Sequence, residues 1–346
     1  MLTVENLELG FGDVELLSIE HWSIHPSQKV ALVGANGTGK STLIKTIMGL
    51  HHPLAGRVQY AKSLRIGYLP QQAVSASLLP LWDEARSGCT QLLPLERRLK
   101  AAEERALSDI TDAAQSELAE AMESWRLAGG YSIDERIGST LHGLGFQESD
   151  WAKPCTEFSG GWQMRIALAK LLLSDPDIAI LDEPTNHLDI TAREWLAHHL
   201  SETESAVLVV SHDRRFLDVV CRNVLELRDR TAHTYTGNYT HFLALRAERQ
   251  RHAEIEYQRN IEERARLQAF IDRFGAKATK AKQAQSRKKQ LDKMGVVERP
   301  QHLERQSVFR VREAPASDAV PFELRSACIA WPNEANILEN VNLIVE

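Results

Sequence analysis

The sequence predicts an α/β protein with a parallel sheet, followed by a long helical hairpin and a short terminal β segment. Two observations point there. Short apolar runs at Val30–Val33, Ile178–Leu181 and Val207–Val210 each end in a polar cluster, the pattern of buried strands feeding loops at their carboxyl ends. From Phe242 to Phe270 the chain has neither Pro nor Gly and is rich in Arg and Glu, which predicts one extended, charged helix.

Bulk properties narrow the function classes. A chain of 346 residues has room for two or three domains with buried cores. Cys89, Cys155, Cys221 and Cys328 lie far apart and form no C-x-x-C pair, so neither a disulfide framework nor a zinc site is expected, and a reducing compartment fits. The opening MLTVENLELGFGDVELLS lacks the basic and apolar regions of a signal peptide. No apolar run approaches the about 20 residues needed to span a bilayer. These features predict a cytoplasmic protein with no membrane partner.

Charge is unevenly placed. The whole chain carries −6, yet residues 273–293 hold Arg273, Lys277, Lys280, Lys282, Arg287, Lys288, Lys289 and Lys293 against Asp292 alone. A basic segment on an acidic body implies a localised anionic partner, or else a solvated helix face.

The strand at Val30–Val33 leads into Gly34-Ala-Asn36-Gly37-Thr38-Gly39-Lys40-Ser41, then into a helix expected over Thr42–Leu50. Strand, glycine loop and helix in this order make the G-x-x-x-x-G-K-[ST] pattern a phosphate-binding P-loop. The glycines let backbone N–H groups curl around a phosphate, and the helix N-terminus adds partial positive charge. Lys40 is expected to reach the β- and γ-phosphates and Ser41 to ligate magnesium.

The second strand ends in Asp182-Glu183, within SDPDIAILDEPTNHLD. A carboxylate there faces the ligand side of an open α/β sheet. Asp182 is expected to hold the magnesium and Glu183 to orient or deprotonate the attacking water, since metal binding lowers a carboxylate's basicity. The third strand runs into Ser211-His212-Asp213, placing His212 for a polar contact to the terminal phosphate. Gln71, after the apolar stretch in IGYLPQQ, can sense the metal or the water. A further glycine-rich helix start, Ser159-Gly160-Gly161, precedes a helix expected over Trp162–Ser174, with Ser159 as N-cap. One triphosphate does not need two such starts, so the second is expected to face a nucleotide held by another domain.

This set, in this order, resembles the ATP-binding cassette (ABC) family over about the first 240 residues. The resemblance implies an α/β P-loop NTPase cassette that binds and hydrolyses Mg·ATP. It implies that Gly34–Thr42, including Thr42, is the P-loop, Gln71 the Q-loop glutamine and Ser159-Gly160-Gly161 the signature. It makes Asp182 and Glu183 the Walker B pair, Asp189 a D-loop residue and His212 the switch histidine. Phe11 falls where the family stacks an aromatic on adenine; a packing role stays open for it. The form LDEPTNHLD resembles the ABC-F group, which lacks membrane domains. Between Gln71 and the signature, Leu92–Leu107 and Ala113–Ala128 read as two exposed helices closed by AGGYS. They resemble the ABC-F arm, at about 85–130, or the ordinary helical subdomain of a cassette.

Residues 241–300 resemble the ABC-F interdomain linker, whose hairpin contacts ribosome-bound tRNA. The wording FIDRFGAKATKAKQAQSRKKQ resembles the YheS-like branch. A turn is expected at Gly275 and a second helix over 277–293. Lys277, Lys280, Lys282, Arg287, Lys288 and Lys289 are then the candidate contacts to tRNA and rRNA, because such side chains neutralise phosphates without reading sequence.

After a connector at 301–320, residues 321–346 repeat the beginning. LRSACIAWPNEANILENVNLIVE aligns with VENLELGFGDVELLSIEHWSIHP at an offset of 320, placing Trp331 on Phe11, Leu324 on Val4 and Ile344 on Ile24. A second P-loop at that offset would begin beyond Glu346. The reading is therefore one cassette over 1–240, a linker, and the opening strands of a second cassette. In the family two cassettes close head to tail over two ATPs, so weak hydrolysis is expected unless a second cassette or second copy supplies the missing half. The leading expectation is an ABC-F protein acting on the ribosome. The alternatives are the ATPase subunit of a membrane ABC transporter, whose P-loop chemistry is the same, and a DNA-handling ABC ATPase.

Overall fold

Leu2, Val4, Leu7 and Leu9 are buried along the first strand, and they set the register of an antiparallel hairpin. The structure, a computed structural model, describes residues 1–11, 14–71, 77–274, 281–294, 322–330 and 336–345. Two units result, Met1–Pro300 and Gln301–Glu346.

In the first unit, β1 (Leu2–Phe11) pairs antiparallel with β2 (Val14–Ile24). β3 (Lys29–Gly34) carries the P-loop strand and α1 (Lys40–Ile47) follows the loop. This helix starts two residues before the expected Thr42 and stops before the expected Leu50. Gly39, with φ 97°, turns the loop directly into the first helical residue, and Gly49, with φ 71°, ends the helix in a left-handed cap. β4 (Ala55–Tyr60) and β5 (Ile66–Leu69) come next.

The helical insertion comprises α2 (Leu81–Ser87), α3 (Leu92–Ser108), α4 (Asp112–Leu127) and α5 (Ile133–Gly143). α3 and α4 match the two expected helices within a residue. Leu99, Ala102, Ala121 and Trp125 are buried, while Arg98–Glu120 and Arg105–Glu117 ion pairs tie the outer faces together. The Thr111 hydroxyl caps α4 by accepting from the Ala114 N–H.

α6 (Gly160–Leu173), β6 (Ile178–Asp182), α7 (Ile190–Glu202), β7 (Ala206–Val210), α8 (Arg214–Val220), β8 (Asn223–Arg228) and β9 (Thr231–Thr236) complete the sheet. Its nine strands run in the order β4-β1-β2-β9-β8-β3-β7-β6-β5. β8, β3, β7, β6 and β5 are parallel neighbours. Alternate residues of these strands feed two cores, one on each face. Leu32, Ile44, Ile180 and Leu208 lie in one, and Ala31, Leu181, Val207, Val209 and Phe216 in the other. Both faces of β6 and β7 are covered, which explains their uninterrupted apolar runs.

α9 (Tyr239–Phe274) is a single helix of 36 residues. It begins inside the expected cassette boundary at 240 and runs past the expected end at Phe270. Its root belongs to the cassette core, because Phe242 is fully buried against Tyr235. α10 (Ala281–Lys293) is the second helix of the hairpin, and the Arg264 guanidinium donates to the Met294 carbonyl to hold the two together. Gly275 and the expected turn lie outside the described residues.

The second unit holds β10 (Phe322–Ala330) paired antiparallel with β11 (Asn336–Val345). Its pairing reproduces that of β1 and β2 in part. Phe322 faces Val345, Leu324 faces Leu343 and Ile329 faces Leu338, as Leu2 faces Ile24, Val4 faces Trp22 and Leu9 faces Leu17. Ser326 and Asn6 share a left-handed φ of 47° and 46°. The offset of 320 therefore holds for the first strand only. In the second strand Val345, not Ile344, takes the place of Ile24, one residue later than the sequence alignment put it. The connector at 301–320 and Trp331 lie outside the described residues.

Candidate nucleotide site

β3, β7 and β6 run side by side and parallel, so their carboxyl ends bring three loops together. The loops carry Gly34–Ser41, Asp182–Glu183 and Ser211–His212. They open on one cavity of about 430 Å³, lined by Asn36, Gly37, Gly39, Lys40, Ser41, Thr42, Gln71, Asp182, Glu183 and His212, with Leu16 and Val210. Gly34 and Thr38 shape the loop from behind. The Gly34 carbonyl accepts from Lys40, and the Thr38 hydroxyl donates to the Ala35 carbonyl. Leu16, on β2, gave no signal in the sequence, since only the sheet order brings it here.

Lys40 folds back over the loop, and Nζ donates to the carbonyl oxygens of Gly34 at 2.8 Å and Ala35 at 3.0 Å. Burial pushes its ammonium below the ordinary lysine value, while Glu183 and Asp182 hold it up. Burial pushes the Asp182 carboxyl above its ordinary value, with Lys40 and Lys45 pulling it back. Burial likewise raises Glu183, opposed by the ring and backbone N–H of His212. His212 Nε2 stands 3.4 Å from Glu183 Oε1. Glu183 Oε2 is buried without a hydrogen-bond partner among the described residues.

The Glu183 backbone is left-handed, with φ 54°, a conformation that costs a non-glycine residue on the order of 1 kcal/mol. Its N–H donates to the Val210 carbonyl at 2.8 Å, which extends the β6–β7 ladder one residue beyond the strand and holds the strained turn. The neighbouring loops are tied by a buried hydrogen bond of 3.0 Å between the Thr185 and Ser211 hydroxyls. Arg193 on α7 pairs with Asp213 at 2.9 Å, and Asp213 also caps α8 by accepting from Phe216 N–H. These ties were missed in the sequence, although Asp213 before a helix is a recognisable N-cap signal.

The Ser159–Gly161 segment lies apart from this cavity. Ser159 and Gly160 are exposed, and Gly160 has open space around it. Ser159 occupies the expected N-cap position with extended backbone, but its side chain makes no capping bond and α6 begins at Gly160, not Trp162. Gly161 faces His187. Asp189, expected among the nucleotide-contacting residues, does not line the cavity. Its Oδ1 caps α7 by accepting from Ala192 N–H, and its Oδ2 accepts from Arg165 at 3.0 Å. Arg165 was not foreseen. Buried on α6, it also donates to the carbonyls of Leu144 and His187 and stacks on Trp162 at 4.3 Å.

The Phe11 side chain lies outside the described residues, as do Lys277 and Lys280. Lys282, Arg287, Lys288 and Lys289 are all exposed on α10.

The donor set fits a magnesium nucleoside triphosphate. The N-terminus of α1 with Lys40 suits phosphate, the oxygens of Ser41, Asp182 and Gln71 suit a hard divalent cation, and the orphaned Glu183 oxygen suits a bound water.

Comparison with known proteins agrees. A family model described as ABC transporter matches residues 17–186, and a second of the same description matches 225–310. The chain is 36% identical over 312 residues to the probable ATP-binding protein YheS of Haemophilus influenzae, covering 90% of this chain and 48% of that protein. It is 35% identical to the putative ATP-binding protein YdiF of Bacillus subtilis, covering 100% of this chain and 54% of that protein. It is 30% identical to ABC transporter F family member 5 of Arabidopsis thaliana, covering 86% of this chain and 44% of that protein. The chain belongs to the ABC-F branch of the ATP-binding cassette ATPases. This ABC-F chain spans about half the length of the curated relatives it matches. Its cassette fold is shared with the ATP-binding subunit of an ABC transporter at a TM-score of 0.51 and 21% identity, covering 68% of this chain and 90% of that one. No helix among the described residues of this ABC-F chain is long and apolar enough to cross a membrane.

Proposed function

We propose that the chain binds Mg·ATP between the P-loop and Asp182–Glu183, and that hydrolysis there controls how the basic α9–α10 hairpin holds the tRNA and rRNA of a ribosome in the cytoplasm. The observation that carries the reading is the shared cavity. Lys40, Ser41, Gln71, Asp182, Glu183 and His212 come from distant parts of the chain and line one opening.

Magnesium, when bound, neutralises phosphate charge and polarises the terminal phosphoryl group. Ser41 and Asp182 hold it, with Gln71 at the mouth of the site. The backbone N–H groups from Asn36 to Thr42 and the Lys40 ammonium hold the phosphates, and Phe11 stacks on the base. Glu183 takes the proton of the attacking water. Its raised proton affinity suits a base better than that of an ordinary surface carboxylate. His212 steadies both Glu183 and the terminal phosphate. Ser159, Gly160, Gly161 and Asp189 serve the nucleotide of a second cassette, or of a second copy of this chain. Their position away from the cavity, with Ser159, Gly160 and Asp189 exposed, supports that division. Lys282, Arg287, Lys288 and Lys289, continued by Lys277 and Lys280, meet RNA phosphates.

The test is ribosome pelleting of the full-length protein carrying Glu183→Gln. With ATP present the variant should sediment with ribosomes and hydrolyse little. Finding it in the supernatant, or with membranes or duplex DNA in preference to ribosomes, would defeat the proposal.

A further inference from the structure

The linker helix leaves the cassette over a buried acid. Glu226, in the middle of β8, is 3% exposed. Its Oε2 accepts from the Tyr235 hydroxyl at 2.8 Å. Arg246, at the start of the third turn of α9, brings Nε to 3.5 Å from Oε1. One turn further, Arg249 donates to the same Tyr235 hydroxyl at 2.6 Å and lies 4.8 Å over its ring.

Glu226 is also next to the P-loop. β8 pairs with β3 so that Glu226 stands beside Val33 and Leu227 beside Gly34. The Leu227 carbonyl leaves no room for a Cβ at Gly34. The strand that ends in the phosphate loop is therefore packed directly on the strand that holds the root of the linker.

A second fastening reaches the other side of the site. α8 starts immediately after His212 and is capped by Asp213. Asp218, on the same helix, accepts from the Thr240 N–H at 2.7 Å and from the Thr240 hydroxyl. α9 is thus tied at its first turn to the element that follows His212, and about two and two and a half turns later to the neighbour of the P-loop strand.

An apolar contact would dock a helix more cheaply than a buried carboxylate with two arginines. Such a network instead fixes direction, because the Tyr235–Glu226 and Arg249–Tyr235 hydrogen bonds hold only over a narrow range of angles, while Arg246 Nε adds charge attraction without a hydrogen bond among the described residues. We infer that Glu226, with Tyr235, Arg246 and Arg249, and the Asp218–Thr240 pair act as positioning residues that make the direction of α9 depend on nucleotide at the P-loop. The inference rests on the nucleotide site proposed above. The lever is long. A 36-residue helix spans about 54 Å, so a rotation of about 5° at its root moves its far end by about 5 Å.

The experiment is hydrogen exchange of the α9 segment 240–256, with and without Mg·ATP at saturation, with binding of a fluorescent ATP analogue followed in parallel. In the unmodified chain, nucleotide should change exchange in this segment by about fivefold or more. In Glu226→Gln, Tyr235→Phe and Thr240→Val the nucleotide-induced change should shrink below about twofold, while the analogue still saturates the site. Tyr235→Phe removes one oxygen and keeps the ring packing on Phe242, so it decides the matter if Glu226→Gln loses its fold. An undiminished change in the variants overturns the inference, as does an unmodified chain that binds nucleotide without any change in α9. An unmodified chain that binds no nucleotide defeats the proposed function, and this inference with it.

Discussion

The Glu183 carboxylate points one oxygen at the His212 imidazole, 3.4 Å away, and leaves the other buried without a partner among the described residues. Neighbours in a single loop rarely give this geometry. It arises because β6 and β7 are adjacent and in register, with Asp182 opposite Val210, so that the residues just beyond each strand meet.

Replacing Glu183 by Gln should lower ATP hydrolysis by about 100-fold or more, the usual contribution of a general base. Nucleotide affinity should stay within about threefold, because the phosphate contacts come from the P-loop. Phosphate release and equilibrium binding of a fluorescent nucleotide measure the two effects separately.

The same substitution should stabilise the nucleotide-free protein at neutral pH. Burial raises the Glu183 carboxyl above its ordinary 4.5, so the unfolded chain gives up this proton more readily than the folded one. A raised carboxyl therefore costs stability as pH rises from the unfolded value through the folded one. Glu183→Gln removes that cost and should raise stability at pH 7. The gain should shrink as pH falls towards 4.5 and vanish well below it, where the acid is protonated in both states. Thermal melts at the two pH values check the sign. Hydrolysis should likewise lose rate on the acid side with a midpoint above 4.5.

Lys40→Ala should weaken Mg·ATP binding by roughly 10- to 100-fold, the value of charge-assisted hydrogen bonds. The fold should survive, since Lys40 bonds only to carbonyls of its own loop. Calorimetric titration and a circular dichroism spectrum of the variant measure both.

Replacing Lys282, Arg287, Lys288 and Lys289 together by Ala should weaken RNA binding and flatten its salt dependence. If all four meet duplex phosphates, the slope of log affinity against log salt should fall in magnitude by about 3 to 4. Each is exposed and outside the cassette core, so ATP hydrolysis by the isolated protein should be unchanged.

Arg165→Met should destabilise the chain by about 1–3 kcal/mol, chiefly because the Leu144 and His187 carbonyls lose the donor that satisfies them, the exposed Asp189 carboxylate turning to water instead. Denaturant unfolding measures the loss. Arg165→Lys should recover only part of it, since an ammonium cannot reproduce the planar fork.

Much of the molecule was legible residue by residue. The P-loop, Asp182–Glu183 and His212 announce themselves because each is a polar cluster at the end of an apolar run, and a parallel sheet puts such ends together. α3 and α4 were legible from composition and charge spacing. The left-handed turn at Glu183 was not, because nothing local favours it; it is imposed by the hydrogen bond to Val210 from another strand. The partner of Asp189 was not legible for the same reason. Its carboxylate is taken up by Arg165, twenty-four positions earlier in the chain. The one-residue slip in β11 escaped detection because register is decided by pairing with β10, which the sequence alignment alone does not show.

By itself the sequence determined the chemistry available, a phosphate loop, two acids and a basic helical finger, because these depend on residue type and short-range spacing. Only the tertiary structure decided which side chains share a cavity, which acid is strained and half-paired, and that a buried glutamate on β8, beside the P-loop strand, meets the root of α9. Those are contacts between residues tens to hundreds of positions apart, and their geometry is fixed by strand order and packing, which no local pattern encodes.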